Sequence, residues 1–311
     1  MSARALLQLL LLAQGVTVAL LAWGALALGL VASPWLAAGF GAGVVLLVRL
    51  LITANSFVMS ARYASATPQQ FRLDAAARVR LFCAEFMASL LHSSWFMARA
   101  APRQRIYPDA TLAPVLLLHG YGCNSGYWAH LTPLLEAARI SHATLDLEPL
   151  MAGIDDYVPL VQRAALALCE ASGAPRVTIV AHSMGGLVAR AWLRVHGSAR
   201  AARVITLGTP HHGTSLAQFG PGRNAAQMQR ASGAAPESAW LRALAASETA
   251  ATRALITSLY THHDNIVSPQ SSGALEGARN VAFGGVGHVA LGSDAQVLAC
   301  VMGELARPCN A

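Results

Sequence analysis

Residues 179–190 contain a serine in a setting typical of a catalytic nucleophile. The run I-V-A-H-S-M-G-G-L-V-A-R places Ser183 between an apolar stretch and a segment with apolar residues at helical spacing. A serine at the tip of a sharp strand-to-helix turn has its hydroxyl lifted clear of the sheet, and it needs small residues two positions away on either side. Ala181 and Gly185 meet that need. The alternative is a structural turn that happens to contain a small residue.

A serine nucleophile needs a general base, and the base needs an acid that orients it. Two later segments offer both in the chain order Ser, acid, His. Asp264 stands in T-H-H-D-N-I-V-S-P after the apolar run 255–260, and His288 stands in G-G-V-G-H-V-A-L after the run 280–283. We therefore predict that Ser183, Asp264 and His288 form a catalytic triad.

Other residues compete for these roles. His262 and His263 lie beside the acid but come too early in the chain to be the usual base. His182 belongs to the turn itself and is expected to pack or hydrogen-bond locally. Asp294 follows the proposed base and could cap the last helix.

The chemistry also needs two N–H groups that hold the oxyanion. The first is expected from Met184, the residue after the nucleophile, and the second from a loop that follows an early strand. The segment L-L-L-H-G-Y-G-C-N-S-G-Y-W provides such a loop, in which His119 and Gly120 turn the backbone and Tyr121 is placed to donate. A simple glycine turn is the alternative.

Two adjacent histidines in T-L-G-T-P-H-H-G-T, residues 206–214, raise the question of a metal site. Adjacent side chains point in different directions and no third ligand is evident. The five cysteines also lack the spacing of a metal site. We expect a structural turn, with His211 and His212 outside any metal site and His212 near the rim of the active site, and neither metal nor cofactor.

Short apolar runs alternate with segments of helical period after Pro108, which predicts a mostly parallel, doubly wound α/β sheet with helices on both faces. In such sheets the chemistry lies beyond the carboxyl ends of the strands. The predicted strands are 115–118, 143–147, 177–181, 204–207, 255–260 and 280–283, and the predicted helices are 131–138, 157–171 and 187–196.

The N-terminal region has the composition of a membrane segment, since no charged residue occurs between Ala5 and Val48. A single helix of that length would be about 66 Å long, twice a hydrocarbon core of about 30 Å. Ser33-Pro34 interrupts it, so we predict a two-helix hairpin within residues 1–57. The alternative is a cleaved signal peptide, whose apolar core of roughly 7 to 15 residues is much shorter. Six glycines are expected to let the helices approach closely: Gly15, Gly24, Gly29, Gly39, Gly41 and Gly43.

The basic residues predict the orientation. The formal net charge is +7 and every basic side chain is arginine. Arg4 precedes the hairpin and four arginines follow it within residues 62–80, so both ends are expected in the cytoplasm, with the protein multi-pass in a bacterial inner membrane. The charge could attract anionic lipids, or reflect codon usage with ordinary solvated surfaces. No basic run interleaved with aromatics indicates nucleic-acid binding.

Two further segments complete the predicted organisation. Residues 58–110 form a connector whose helix would lie on the bilayer or on the catalytic domain, residues 111–311. Its apolar positions are Leu73, Ala77, Leu81, Ala84, Ala88 and Leu91. Within the catalytic domain, residues 215–254 are long for a connection and could form a lid or cap. Ordinary helix packing explains its apolar residues equally well: Phe219, Met228, Trp240, Leu241 and Leu244.

Taken together, these motifs resemble the bacterial lipase and esterase branch of the α/β-hydrolase superfamily over about residues 111–305. The resemblance implies a Ser/Asp/His hydrolase of carboxylic esters, with Ser183, Asp264 and His288 in the triad positions and Tyr121 and Met184 in the oxyanion positions. Secreted lipases of this branch often bind calcium through an Asp two residues after the catalytic His, where this chain has an alanine.

We therefore expect a membrane-anchored hydrolase acting on a lipid or another hydrophobic ester. The same triad could instead pass the acyl group to an alcohol or cleave thioesters, which would make the protein an acyltransferase or a thioesterase. A membrane-anchored binding module without activity is a weaker alternative because all the catalytic positions are filled.

Overall fold

The computed structural model describes residues 2–231 and 236–307. Its centre is a seven-stranded sheet with the order β1-β3-β2-β4-β5-β6-β7, in which β1 is antiparallel to β3 and the other neighbours are parallel. The strands are β1 (Gln104–Arg105), β2 (Val115–Leu118), β3 (His142–Leu145), β4 (Val177–His182), β5 (Ala201–Leu207), β6 (Ile256–Thr261) and β7 (Arg279–Phe283).

Helices cover both faces of this sheet, as the sequence predicts. The described chain has the following helices, of which α1 and α2 form the N-terminal hairpin: α1 (Ala3–Ala27), α2 (Pro34–Ala61), α3 (Ala75–Leu91), α4 (Met97–Arg99), α5 (Thr132–Ala137), α6 (Val158–Ser172), α7 (Met184–His196), α8 (Arg223–Gln227), α9 (Ala239–Ala246), α10 (Ala250–Ala254) and α11 (Ala295–Ala306). Alternate strand residues enter two separate cores: Leu116 and Ile179 face one, whereas Leu117 and Val180 face the other. Burial on both faces explains why these strands are continuously apolar.

The two N-terminal helices pack against each other as a hairpin. The helical conformation is interrupted before Ser33, the N-cap residue of α2, and Pro34 occupies the first turn of α2. A missing N–H has no cost there because the first N–H groups of a helix have no partner within the helix. Only Gly41 among the six hairpin glycines meets the partner helix: a Cβ there would lie 2.5 Å from the carbonyl oxygen of Val18, whereas a Cβ at the other five would meet nothing within 4 Å. Both helices are long and apolar enough to cross a membrane.

The connector packs on the catalytic region through a face that overlaps the predicted one, since Leu81 and Ala88 are buried and Leu73 and Ala77 are half-buried. Leu81, Glu85 and Ala88 of α3 are buried, while Ala84 and Leu91 are exposed. A π-helical turn, His92–Phe96, then leads into α4. The buried face therefore contains an acidic residue that the apolar pattern does not reveal.

The segment 215–254 packs largely onto the sheet. Met228, Leu241 and Leu244 belong to one of the two cores, and Trp240 packs partly buried against the same core. Phe219 is exposed. Ordinary packing therefore accounts for most of the apolar residues that raised the question of a lid.

Candidate active site

Ser183 lies at a sharp turn between the end of β4 and the start of α7. Its backbone has φ 53° and ψ −125°, a conformation that residues with a Cβ rarely adopt. The turn is also crowded, since a Cβ on Gly185 would lie 2.6 Å from the carbonyl oxygens of Leu118 and His119. The steric requirement predicted from the sequence is therefore present in the structure.

Asp264 and His288 form a buried pair beyond the ends of β6 and β7. Nδ1 of His288 lies 2.8 Å from Oδ2 of Asp264. The other carboxylate oxygen accepts the N–H groups of Ile266 and Val267, at 2.8 and 2.7 Å. Hydrogen bonds to both oxygens fix the carboxylate and, through it, the plane of the imidazole.

The pKa of His288 reflects a competition between burial and charge. Burial lowers the pKa, but the charge of Asp264, the hydrogen bond with that carboxylate and the charge of Glu85 outweigh it, so the pKa lies above its ordinary value. A histidine in this environment is a stronger base than a free imidazole.

Ser183 and His288 line a common cavity at the carboxyl edge of the sheet, and Asp264 lies behind the histidine. Gly208, with φ +54°, leaves room for the pair: a Cβ there would lie 3.2 Å from Nδ1 of His288 and 3.3 Å from Oδ2 of Asp264. The structure thus brings together the three residues that are spread over 106 positions of the sequence.

The loop after β2 approaches Ser183 closely. A Cβ on Gly120 would lie 2.8 Å from the Cβ of Ser183. The N–H of Met184 is the first of α7, and within the described chain neither it nor the N–H of Tyr121 donates to a protein group. Both groups are therefore available to an oxyanion, at a helix end that carries a partial positive charge.

His119 holds this loop in place. Its Nδ1 donates to the carbonyl of Gly120 and its Nε2 accepts the N–H of Leu147, each at 2.9 Å. Burial lowers the pKa of His119, which favours this neutral form. The hydroxyl of Tyr121 donates to the carbonyl of Pro221 at 2.7 Å and so links the loop to the 215–254 segment.

His182 packs locally, as expected. Its ring stacks on Tyr127 with centroids 3.9 Å apart, and its Nε2 donates to the carbonyl of His288 at 3.2 Å. Burial, together with the charge of His288, places the pKa of His182 well below its ordinary value, so the ring is neutral. The neutral ring of His182 thus contacts His288, the predicted base, through a hydrogen bond to its main-chain carbonyl.

The remaining competitors have other partners. His262 packs against Phe71, and Nδ1 of His263 accepts the N–H of Gly285 at 3.0 Å. Asp294 caps α11 by accepting the N–H groups of its first turn, which confirms that alternative.

The histidine pair after β5 diverges. His211 is buried, with its Nε2 3.1 Å from the hydroxyl of Ser258, whereas Nδ1 of the half-buried His212 lies 2.7 Å from Glu237. The two imidazoles thus have separate protein partners, as expected for a structural turn.

Glu85 is a site residue that the sequence analysis missed. Its carboxylate is fully buried and accepts the N–H groups of Val289 and Ala290, at 3.0 and 2.9 Å, directly after His288. Burial raises the pKa of Glu85, and the two N–H groups and the charge of His288 oppose that rise. Glu85 lies four residues after Leu81 and three before Ala88, on the same face of α3 as these two apolar residues. This position was the signal that could have identified it from the sequence.

Asn265 connects His288, the predicted base, to the hairpin. Its Oδ1 accepts the N–H of His288 at 3.0 Å, and its Nδ2 donates to the hydroxyl of Ser56 on α2 at 2.8 Å. The second N-terminal helix, α2, is thus in direct contact with a residue that positions the backbone of His288.

The cavity at Ser183 has a volume of about 550 Å³, within the range of roughly 300–1,000 Å³ typical of ligand sites. Besides Ser183 and His288, its walls include Leu10 of α1, Ile52 of α2 and Phe86 of α3. The lining residues come from the site, the connector and the hairpin, and none comes from the described residues of the 215–254 segment.

A family model described as alpha/beta hydrolase fold matches residues 113–238. The mature form of a lipase from Bacillus licheniformis superposes with a TM-score of 0.55 at 17% identity, over 66% of this chain and 97% of that one. For lipase B of Aspergillus fumigatus the TM-score is 0.55 at 18% identity, over 66% of this chain and 55% of that one. An esterase from Exiguobacterium antarcticum superposes with a TM-score of 0.51 at 14% identity, over 66% of this chain and 95% of that one.

The catalytic region therefore has the α/β-hydrolase fold. The resemblance to the lipase and esterase branch is confirmed at the level of the fold. Two lipases and an esterase are among the solved structures that share this fold.

Proposed function

We propose that the protein is a membrane-anchored serine hydrolase that cleaves carboxylic esters with hydrophobic acyl groups. The observation that carries this proposal is the strained turn at Ser183 in the same cavity as His288, whose ring is held by Asp264. The lipases and esterases among the similar structures support ester hydrolysis.

The mechanism is a two-step acyl transfer. Oγ of Ser183 forms a bond to the ester carbonyl carbon while His288 takes the hydroxyl proton, and the N–H groups of Tyr121 and Met184 hold the oxyanion. Collapse of this intermediate breaks the bond to the alcohol oxygen, which takes the proton from His288. Water then repeats the sequence on the acyl-enzyme and releases the acid, while Asp264 orients the imidazole and stabilises its charge.

Membrane anchoring is the second part of the proposal. Two apolar helices with many exposed large side chains support it, among them Leu12, Leu20 and Trp23. The arginines that flank the hairpin favour a cytoplasmic catalytic domain. Protease treatment of spheroplasts tests the orientation: the domain should survive until the membrane is opened, and digestion from outside would contradict it.

Labelling with a fluorophosphonate tests the hydrolase itself. The purified full-length protein should react at Ser183, and Ser183→Ala should neither label nor hydrolyse p-nitrophenyl esters. Thioesters and an added alcohol acceptor, assayed in parallel, separate hydrolysis from thioesterase and transferase activity. Failure of the wild-type protein to label would overturn the proposal.

A further inference from the structure

We propose that the N-terminal hairpin forms one wall of the substrate site, so that the acyl chain of a membrane glycerophospholipid reaches Ser183 along α1 and α2 directly from the bilayer. This inference rests on the proposed ester hydrolase function and deepens it. A hairpin that served only as a tether would contribute nothing to the cavity.

The cavity wall shows the hairpin's contribution. Leu7 and Leu10 of α1 and Ile52 of α2 line the same space as Ser183 and His288. Leu10 is 49% exposed and Ile52 is 65% exposed, so the cavity reaches the outer surface of the hairpin. An opening bordered by exposed apolar helix surface suits a lipid chain better than a water-soluble ester.

The length of the helices places this opening at the depth of the acyl chains. A hydrocarbon layer of about 30 Å, measured from the hairpin turn, covers about twenty residues of each helix. Counted from Ala27 back along α1 and from Pro34 forward along α2, that layer includes Leu10 and Ile52. Trp23 and Trp35, both exposed, flank the turn as aromatic residues do at a membrane interface.

Hydrogen bonds from both helices hold the hairpin against the connector, which itself packs on the catalytic region. Nε2 of Gln8 donates to the carbonyl of Ala98 at 3.0 Å. The guanidinium of Arg49 donates to the hydroxyls of Ser93 and Ser94, the latter at 2.6 Å. The wall is thus fixed relative to the nucleophile, as a substrate site requires.

Arg49 supplies the charge that identifies the lipid class. It is the one arginine among the residues that line the cavity, and no carboxylate in the described chain pairs with it. A cation at membrane depth needs an anionic or strongly polar partner, and the two serine hydroxyls meet only part of that need. The phosphate of a glycerophospholipid matches it, since arginine binds phosphate through paired hydrogen bonds.

Two matched pairs of variants test the hairpin wall. Leu10→Trp and Ile52→Trp narrow the cavity, whereas Leu9→Trp and Leu51→Trp add the same ring at neighbouring exposed positions outside it. The assay is hydrolysis of p-nitrophenyl hexadecanoate and acetate by the full-length protein in detergent. The measured quantity is the ratio of the two kcat/KM values.

We expect this ratio to fall at least tenfold in Leu10→Trp and Ile52→Trp and to stay within twofold in both controls. If all four variants keep the wild-type ratio, the hairpin is only an anchor and the inference is wrong, although Ser183-dependent hydrolysis would remain. The two test positions lie on different helices, so misfolding of one variant still leaves the other. Loss of all hydrolysis and of Ser183 labelling in the wild type would instead overturn the proposed function.

The role of Arg49 is tested with two lipids that carry the same acyl chains, phosphatidylglycerol and diacylglycerol, in mixed micelles. Arg49→Gln should lower the phosphatidylglycerol rate relative to the diacylglycerol rate about tenfold, as expected for loss of one charge-assisted hydrogen bond. Arg62→Gln removes the same charge just after α2, outside the cavity, and should leave the ratio unchanged. Equal ratios for wild type and Arg49→Gln would refute the phospholipid assignment.

Discussion

The hydroxyl of Ser60, near the end of α2, donates a hydrogen bond of 2.9 Å to the main-chain carbonyl of Asp264. Nε2 of Gln270 donates to both oxygens, at 3.0 Å to the hydroxyl and 2.9 Å to the carbonyl. The carbonyl of Ser60 in turn accepts the hydroxyl of Ser268 at 2.7 Å. The hairpin is therefore hydrogen-bonded to the loop that carries the proposed catalytic acid.

Ser60→Ala removes this buried link. We expect a loss of about 1 kcal/mol in the free energy of unfolding, the usual net value of one hydrogen bond. For a protein of this size that lowers the midpoint of thermal unfolding by about 2–4 °C, which tryptophan fluorescence can follow. Ser33→Ala, whose hydroxyl makes no capping bond at the hairpin turn, should unfold like the wild type. Equal midpoints for the two variants would show that the link adds no stability.

The backbone of Ser183 stores strain that a glycine can release. Ser183→Ala and Ser183→Gly should both lose activity by about 10⁴-fold or more, because each removes the proposed nucleophile. The glycine variant should be about 1 kcal/mol more stable than the alanine variant, since glycine adopts φ 53° without a Cβ penalty. Denaturant unfolding of the two variants measures the difference in their free energies of unfolding. A more stable alanine variant would contradict the inference that the backbone at residue 183 is strained.

Gly120 leaves no room for a side chain beside the nucleophile. Gly120→Ala should lower kcat about 100-fold, the effect typical of a displacement of about 1 Å at reacting groups. Its new Cβ would meet the Cβ of Ser183 and displace either that side chain or the oxyanion loop. Gly303→Ala on α11, where a Cβ meets nothing within 4 Å, is the matched control. Comparable kcat values for the two variants would count against a close approach at Gly120.

Glu85 is expected to act as a positioning residue through charge as well as hydrogen bonds. Because His288 must be neutral to accept a proton, kcat/KM should rise with pH through its pKa, which lies above the ordinary value of histidine. Glu85→Gln removes a negative charge that raises this pKa, so the midpoint of the rise should move to lower pH. The pH profile of kcat/KM for a short ester measures the shift.

The control for this prediction is Glu136→Gln, which removes an exposed carboxylate paired with Arg105 at 3.8 Å. Its pH midpoint should equal that of the wild type. Glu85→Ala should reduce kcat further than Glu85→Gln, because it leaves the N–H groups of Val289 and Ala290 buried without an acceptor. An unchanged midpoint in Glu85→Gln would exclude the effect of charge and limit the role of Glu85 to its hydrogen bonds with Val289 and Ala290.

The parallel strands were predictable because each is an apolar run closed by a turn. The run 115–118 coincides with β2, and the other five predicted strands overlap β3 to β7. The two-residue β1 was missed because Gln104 and Arg105 are polar and pair only at the exposed edge of the sheet. Apolar periodicity carries no information about such a strand.

Contacts between distant segments could not be predicted in the same way. The buried position of Glu85 depends on which face of α3 meets the loop after His288, and residue spacing alone leaves that rotation open. The same holds for Gly41, the one hairpin glycine that meets the partner helix. The apolar residues of 215–254 fitted a lid and ordinary packing equally well, and the sequence did not indicate that the hairpin lines the cavity.

By itself the sequence determined the α/β alternation, the break at Ser33-Pro34 and the order of Ser183, Asp264 and His288 along the chain. These features follow from local properties: apolar period, a missing N–H, and small residues around a turn. Only the tertiary structure decided that Asp264 pairs with His288, that Glu85 supports it, and that α1 and α2 line the cavity. Some of these contacts join segments more than two hundred residues apart. They are set by the packing of whole helices and strands, to which each single residue contributes little.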